Sequence, residues 1–207
     1  MAKNAWFGGA PLQQIGQSIV EIKPISENWE LDTGWLNLGK TDHNNFMASF
    51  DWADLNNLQY GSKPANAQIT GQNVGGELGL VEMYAEVFEK VWPGAKVIRW
   101  PDNTLKRIIA RKVVGARLTD YLYWYRFTQF RNGKKSTNHK DAIYALMATR
   151  MESGEINADL SPQVVTLPLV GFEASADYVN TPVLDPEDGE TPLFFWTKDT
   201  DEYDEYT

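Results

Sequence analysis

The segment 45–53 constrains the fold most, because its apolar residues recur at every second position. Phe46, Ala48, Phe50 and Trp52 fall on one side, and Met47, Ser49 and Asp51 on the other. Successive side chains of a strand point to opposite faces, so this pattern predicts a half-buried β-strand. A second strand is predicted over 67–80, with Val74, Gly76, Leu78 and Leu80 sharing a face. Its glycines imply bulges or close backbone approach. Segments 96–100 and 105–114 are also strand-like, and the aromatic run 121–128 is the strongest strand signal of all.

The period changes over 81–92. There Tyr84, Val87, Phe88 and Val91 follow Leu80 at spacings of three and four, and Pro93-Gly94 ends the pattern. This predicts one amphipathic helix. Asn132-Gly133 marks a turn, 142–151 fits helix or strand, and 164–172 reads as a closing strand despite Pro168. Residues 1–30 read as an extended arm, 31–175 as the folded β domain, and 176–207 as an acidic extension whose prolines 182, 186 and 192 punctuate a loop. The arm, the loop 54–68 and the tail from 174 are polar and poor in core-forming residues, so they are expected to order only on assembly. The fold class predicted is mainly β, sandwich or barrel-like, with one prominent flanking helix.

Composition removes several function classes. With no cysteine among 207 residues there is no disulfide framework, thiol nucleophile or thiolate metal site, and two histidines do not make a His-rich centre. An apolar fraction of 43% excludes disorder of the whole chain. No run of 18 apolar residues exists, so no membrane span is expected. The opening Met1 to Trp6 lacks the apolar core of a secretory signal, so export by that route is not expected.

The motif that demands a test is Gly34-Trp-Leu-Asn-Leu-Gly-Lys-Thr41, which fits the phosphate-binding pattern GxxxxGK[ST]. That chemistry needs a buried strand before the loop and a helix immediately after it. Here Asn28 to Asp32 is not an apolar strand, and Thr41 leads into an alternating one, so a glycine-rich β-turn is expected instead. Asp51 and Asp54 would project to opposite faces of a strand, which argues against shared acid–base work. His43 and His139 sit in polar, loop-like surroundings and read as solvated. No catalytic, cofactor-binding or metal-ligating residue is assigned, no cofactor is implied, and no enzyme activity is expected.

Charge is segregated. Residues 1–89 carry 4 basic and 11 acidic side chains, residues 90–150 carry 14 and 3, and residues 174–207 carry 1 and 10. A basic middle fits three readings: a phosphate-binding surface, cations alternating outward on a solvated sheet, or a surface that meets acidic segments of a neighbouring copy. The aromatic run 121–127 has few interleaved cations, so core or subunit-interface packing is expected of it before base stacking.

The order of segments resembles the major tail tube proteins of long-tailed bacteriophages. A Gly-Trp-x-x-Leu-Gly turn (Gly34 to Gly39) enters the strand Phe46 to Asp54. A polar loop, Ile69-Thr-Gly-Gln72 and a glycine-rich strand follow, running into Leu80-Val-Glu-Met-Tyr-Ala-Glu-Val-Phe88. Val164 to Glu173 resembles the family's closing strand, and the likeness spans residues 30–175. It implies a virion protein without catalytic residues, built as a β-sandwich with a flanking helix. Such subunits close into six-membered rings, stack into a tube, and meet tape-measure, terminator and distal tail proteins. The tube's lumen lets DNA slide through without sticking, no membrane partner is implied, and assembly takes place in the host cytoplasm. Rival readings are another ring-forming tail or connector protein, and a monomeric β-sandwich carbohydrate-binding module.

Overall fold

A computed structural model describes residues 18–25, 33–56, 64–81, 84–131, 133–136, 141–149, 158–160, 163–172, 194–197 and 203–205. Within these, the chain runs β1 (Ser18–Pro24), β2 (Leu36–Asn37), β3 (Thr41–Asn56), β4 (Pro64–Leu80), α1 (Ala85–Val91), β5 (Ala95–Arg99) and β6 (Leu105–Ala110). After a 3-10 turn at Leu118–Tyr121 come β7 (Tyr123–Arg131), β8 (Lys134–Ser136), β9 (Ala142–Thr149), β10 (Ala158–Leu160), β11 (Gln163–Gly171), β12 (Phe194–Thr197) and β13 (Tyr203–Glu205). Every strand pairing is antiparallel. The protein is mainly β, and α1 is the single α-helix among the described residues.

β7 and β9 form the centre. They pair from Tyr123↔Met147 to Thr128↔Ala142, and β1 flanks β7 on its other side. All eight residues of β9 are buried, so both of its faces are covered. Ile143, Ala145 and Met147 point into the main core beside Tyr125 and Phe127, while Leu146 and Ala148 join Leu122 and Trp124 in a smaller cluster. Because both faces are apolar, the period of this segment cannot separate strand from helix; its partners on both edges decide for strand. The aromatic run is core, since Trp124, Tyr125 and Phe127 are all buried.

From β9 the sheet continues through β11 and β4 to β3. It curls until the start of β3 returns to β1. Leu38 N donates to Val20 O at 3.0 Å, and Asn44 Nδ2 donates to Ser18 O at 3.0 Å and Ser18 Oγ at 2.8 Å. The core inside this curl draws on Val20, Ile22, Val74, Leu78, Leu80, Leu167 and Leu169, and Val87 and Val91 of α1 pack against it. Pro168, which has no N–H to give, falls between the stretch of β11 paired with β10 (163–165) and the stretch paired with β9 (169–171).

Several expectations need correction. The supposed arm contributes β1, whose Val20 and Ile22 are fully buried; alternation in so short a segment is hidden by the polar residues that face the other way. The helix covers Ala85–Val91 and not 81–92; Tyr84, in extended conformation, precedes it and is exposed. The strand 105–114 ends at Ala110. The loop 54–68 is mostly strand, since β3 runs to Asn56 and β4 begins at Pro64; positions 57–63 lie outside the described residues. The extension also supplies strands. β12 pairs with β9, from Phe194↔Ala145 to Thr197↔Ala142, and β13 pairs with β8, so β11 is not the last strand. Around the expected turn, Arg131 pairs with Lys134 and Gly133 takes φ +79°, while position 132 lies outside the described residues.

Candidate assembly surfaces

β3 and β4 make a ribbon longer than the core that anchors it. β11 pairs with β4 only as far out as Val170↔Gly75, whereas β3 and β4 stay paired to Asn56↔Pro64. Beyond this point the ribbon is two-stranded among the described residues, and ten residues of strand span about 30 Å. The alternating side chains predicted to be half-buried therefore split in two. Phe46 packs edge-on against Phe127 and Phe194, with ring centroids 5.8 and 5.2 Å apart. Ala48 and Phe50, on the same face, are exposed, as are Met47 and Ile69. The register sets Trp52 opposite Ile69 after an irregularity between Asp51 and Trp52. Asn73 Nδ2 donates to Asp51 Oδ2 at 2.7 Å across the strands.

The base of the ribbon is close-packed. A Cβ at Gly76 would lie 2.1 Å from the Asn45 carbonyl oxygen, and one at Gly79 would lie 2.3 Å from the His43 ring. His43 is on a strand, not in a loop. Its Nε2 lies 3.1 Å from Glu77 Oε1 and its Nδ1 lies 3.4 Å from Asp42 Oδ2. The bond to Glu77 raises its pKa above the ordinary 6.5, against a smaller opposing effect of burial and with help from Asp42. His139 lies outside the described residues.

β5 and β6 form a separate two-stranded sheet held by α1. Glu86 pairs with Arg99, and Glu89 Oε1 accepts from Val97 N at 3.1 Å, which caps part of the outer edge of β5. Register places Lys96 opposite Ile109 and Arg107 opposite Ile98, so these four share one face. Leu105, Ile108 and Trp100 are exposed, and the Lys106 ammonium sits 4.0 Å from the Trp100 ring centre. Beside this sheet lies a cavity of about 560 Å³ lined by Trp92, Tyr121, Arg111, Lys112 and Arg117 among others, with no carboxylate in its described lining.

The segment 34–41 is a pair of turns around β2, with Gly34 and Gly39 at φ +79° and +100°. Gly39 N donates to Asn37 Oδ1 at 2.8 Å, and Thr41 opens β3 where a phosphate loop would open a helix. No cluster of three or more metal-ligating side chains occurs among the described residues, and no helix there is long and apolar enough to cross a membrane. Neither protein-family models nor curated proteins give a match to this chain.

Two features escaped the residue pattern. The ribbon's projection was hidden because alternation reports strand, not how far the core extends. The burial of Arg126 has no signal of its own in the sequence, since a lone cation in an aromatic run can face outward or pair inside it.

Proposed function

We propose that the chain is a self-assembling structural subunit of a bacteriophage tail, closing into six-membered rings that stack as the tube through which DNA is ejected. The observation that carries this reading is the ribbon. A two-stranded ribbon is marginal by itself in water, and this one holds Phe50 and Ile69, 46% and 60% exposed, with unpaired outer edges among its described residues. Burial against another chain removes both liabilities. A surface of this kind, meeting a different patch on the next copy, gives a head-to-tail contact that closes as a ring or continues as a stack.

The mainly β fold with one helix agrees with the architecture implied by the segment order, and the exposed cationic sheet and acidic segments supply charge complementarity between copies. The partners of this reading are copies of the chain and the other tail proteins, its place is the virion, and no catalysis is assigned to it. Negative-stain electron microscopy of the purified chain, with sedimentation over a concentration series, tests it. Hollow six-fold rings or tubes are expected. A monomer that stays monodisperse at every concentration and binds glycans overturns the reading in favour of a carbohydrate-binding module.

A further inference from the structure

We propose that the β5–β6 sheet and the cavity beside it form a binding surface for single-stranded nucleic acid on the unassembled chain. The inference goes beyond the tail-subunit reading and does not rest on it. The stretch 84–121, all of it described, holds eight lysines and arginines and four carboxylates. Each carboxylate is committed inside the chain. Glu86 pairs with Arg99, and Glu89 Oε1 accepts from Val97 N at 3.1 Å. Asp102 accepts from Thr104 N at 3.1 Å and Thr104 Oγ1 at 2.6 Å, and Asp120 Oδ2 accepts from Arg117 N at 3.2 Å. Lys96, Arg107, Arg111 and Lys112 are exposed, and their side chains form no ion pair among the described residues.

These cations follow a line. Lys96 lies opposite Ile109 and Arg107 opposite Ile98, so both cations share one face with the two half-buried isoleucines. Arg111 N donates to Gly94 O at 3.0 Å, which extends the pairing past Ala95↔Ala110 and sets Arg111 two positions beyond Ile109. Arg107 and Arg111 are therefore about 13 Å apart along the strand. Arg111 also lines the cavity of about 560 Å³, together with Lys112, Arg117, Trp92 and Tyr121, and that volume lies in the range of small-ligand sites. Trp92 is held by stacking on Phe88, with ring centroids 5.5 Å apart and planes 8° from parallel. The sheet thus supplies charge and the cavity aromatic walls. A single strand uses both, cations along its phosphates and aromatic surface under an unpaired base. A duplex keeps its bases stacked on one another, and an acidic peptide without rings leaves the cavity unfilled, so both are expected to bind more weakly.

Fluorescence anisotropy tests this on the full chain at low salt, at concentrations where sedimentation shows it unassembled. The probe is a labelled oligothymidylate of about 20 nucleotides, above the usual site size. Saturable binding is expected, and three phosphate contacts give a slope of about −2 for the logarithm of the association constant against that of salt. Arg107→Gln with Arg111→Gln is expected to weaken binding about tenfold or more and to reduce that slope by about 1.4. Tyr121→Ala is expected to weaken binding about tenfold with the slope unchanged, because stacking releases no counterions, and Tyr121→Phe to bind as the wild type does. Circular dichroism and thermal melts establish that each variant is folded as the wild type is. No binding by the wild type, or folded variants with unchanged affinity, overturns the inference. Displacement by poly-glutamate as effective as by unlabelled oligothymidylate overturns it as well. None of these outcomes bears on ring formation, so the tail-subunit reading stands or falls separately.

Discussion

Arg126 shows how a single residue can set the stability of this fold. Its Nε and Nη2 both donate to Glu21 Oε2, at 2.9 and 2.6 Å, across the β1–β7 pair, and its guanidinium lies 4.3 Å from the Trp35 ring centre. Arg126 is 2% exposed, so Glu21→Ala takes from a buried guanidinium the carboxylate that receives two of its N–H groups. Glu21→Ala is expected to cost about 3 kcal/mol by urea denaturation. Glu21→Leu combined with Arg126→Met recovers most of that loss, because an apolar pair needs no desolvated charge; a double variant no more stable than Glu21→Ala sinks the argument. His43 works at the surface. Its charged form is favoured by Glu77 and Asp42, so the pair contributes below pH 6.5 and is lost as pH rises through the raised folded value. NMR titration is expected to find its midpoint above 6.5, and to find it lowered in Glu77→Gln. An unshifted midpoint in both proteins refutes the bridge.

At the scale of elements, the glycines of β4 separate close packing from simple flexibility. Gly76 faces backbone, the Asn45 carbonyl, which cannot move without breaking the β3–β4 register. Gly79 faces the imidazole of His43, a side chain that can rotate away. Gly76→Ala is therefore expected to lower stability by about 3 kcal/mol and Gly79→Ala by about 1 kcal/mol or less. Equal losses in thermal melts refute the distinction. Close approach along this strand was legible from its glycine content, but which neighbour approaches was not, since His43 and Asn45 lie more than thirty positions away. α1 was legible in type because its period is local. Its start was not, because Tyr84 continues the apolar spacing yet stays exposed.

For the whole molecule, the described strands of the acidic extension behave as part of the sheet. β12 occupies the edge of β9 that β11 leaves uncovered, and Phe194 meets Phe46 where the ribbon emerges from the core. Truncation after residue 175 is expected to destabilise the chain by about 3 kcal/mol, with Phe194→Ala reproducing a large part of that loss. A truncated chain with an unchanged melting temperature shows the extension to be dispensable for the fold.

What the sequence determined by itself is the local part. The period-two segments, the helix of the described residues and the positive φ at Gly133 follow from side-chain spacing and backbone sterics, which act over a few residues. That Thr41 opens a strand, where a phosphate loop would open a helix, was legible for the same reason. The tertiary structure decided what spacing cannot encode. It made 142–149 a strand by pairing both of its edges, drew 18–24 out of a supposed arm to pair with β7, and folded 194–197 back onto β9. It also divided one uniform alternating strand into a half-buried root at Phe46, packed against the core, and an exposed reach through Phe50. Burial depends on which distant segments supply the opposing surface, and that is settled only when the sheet closes.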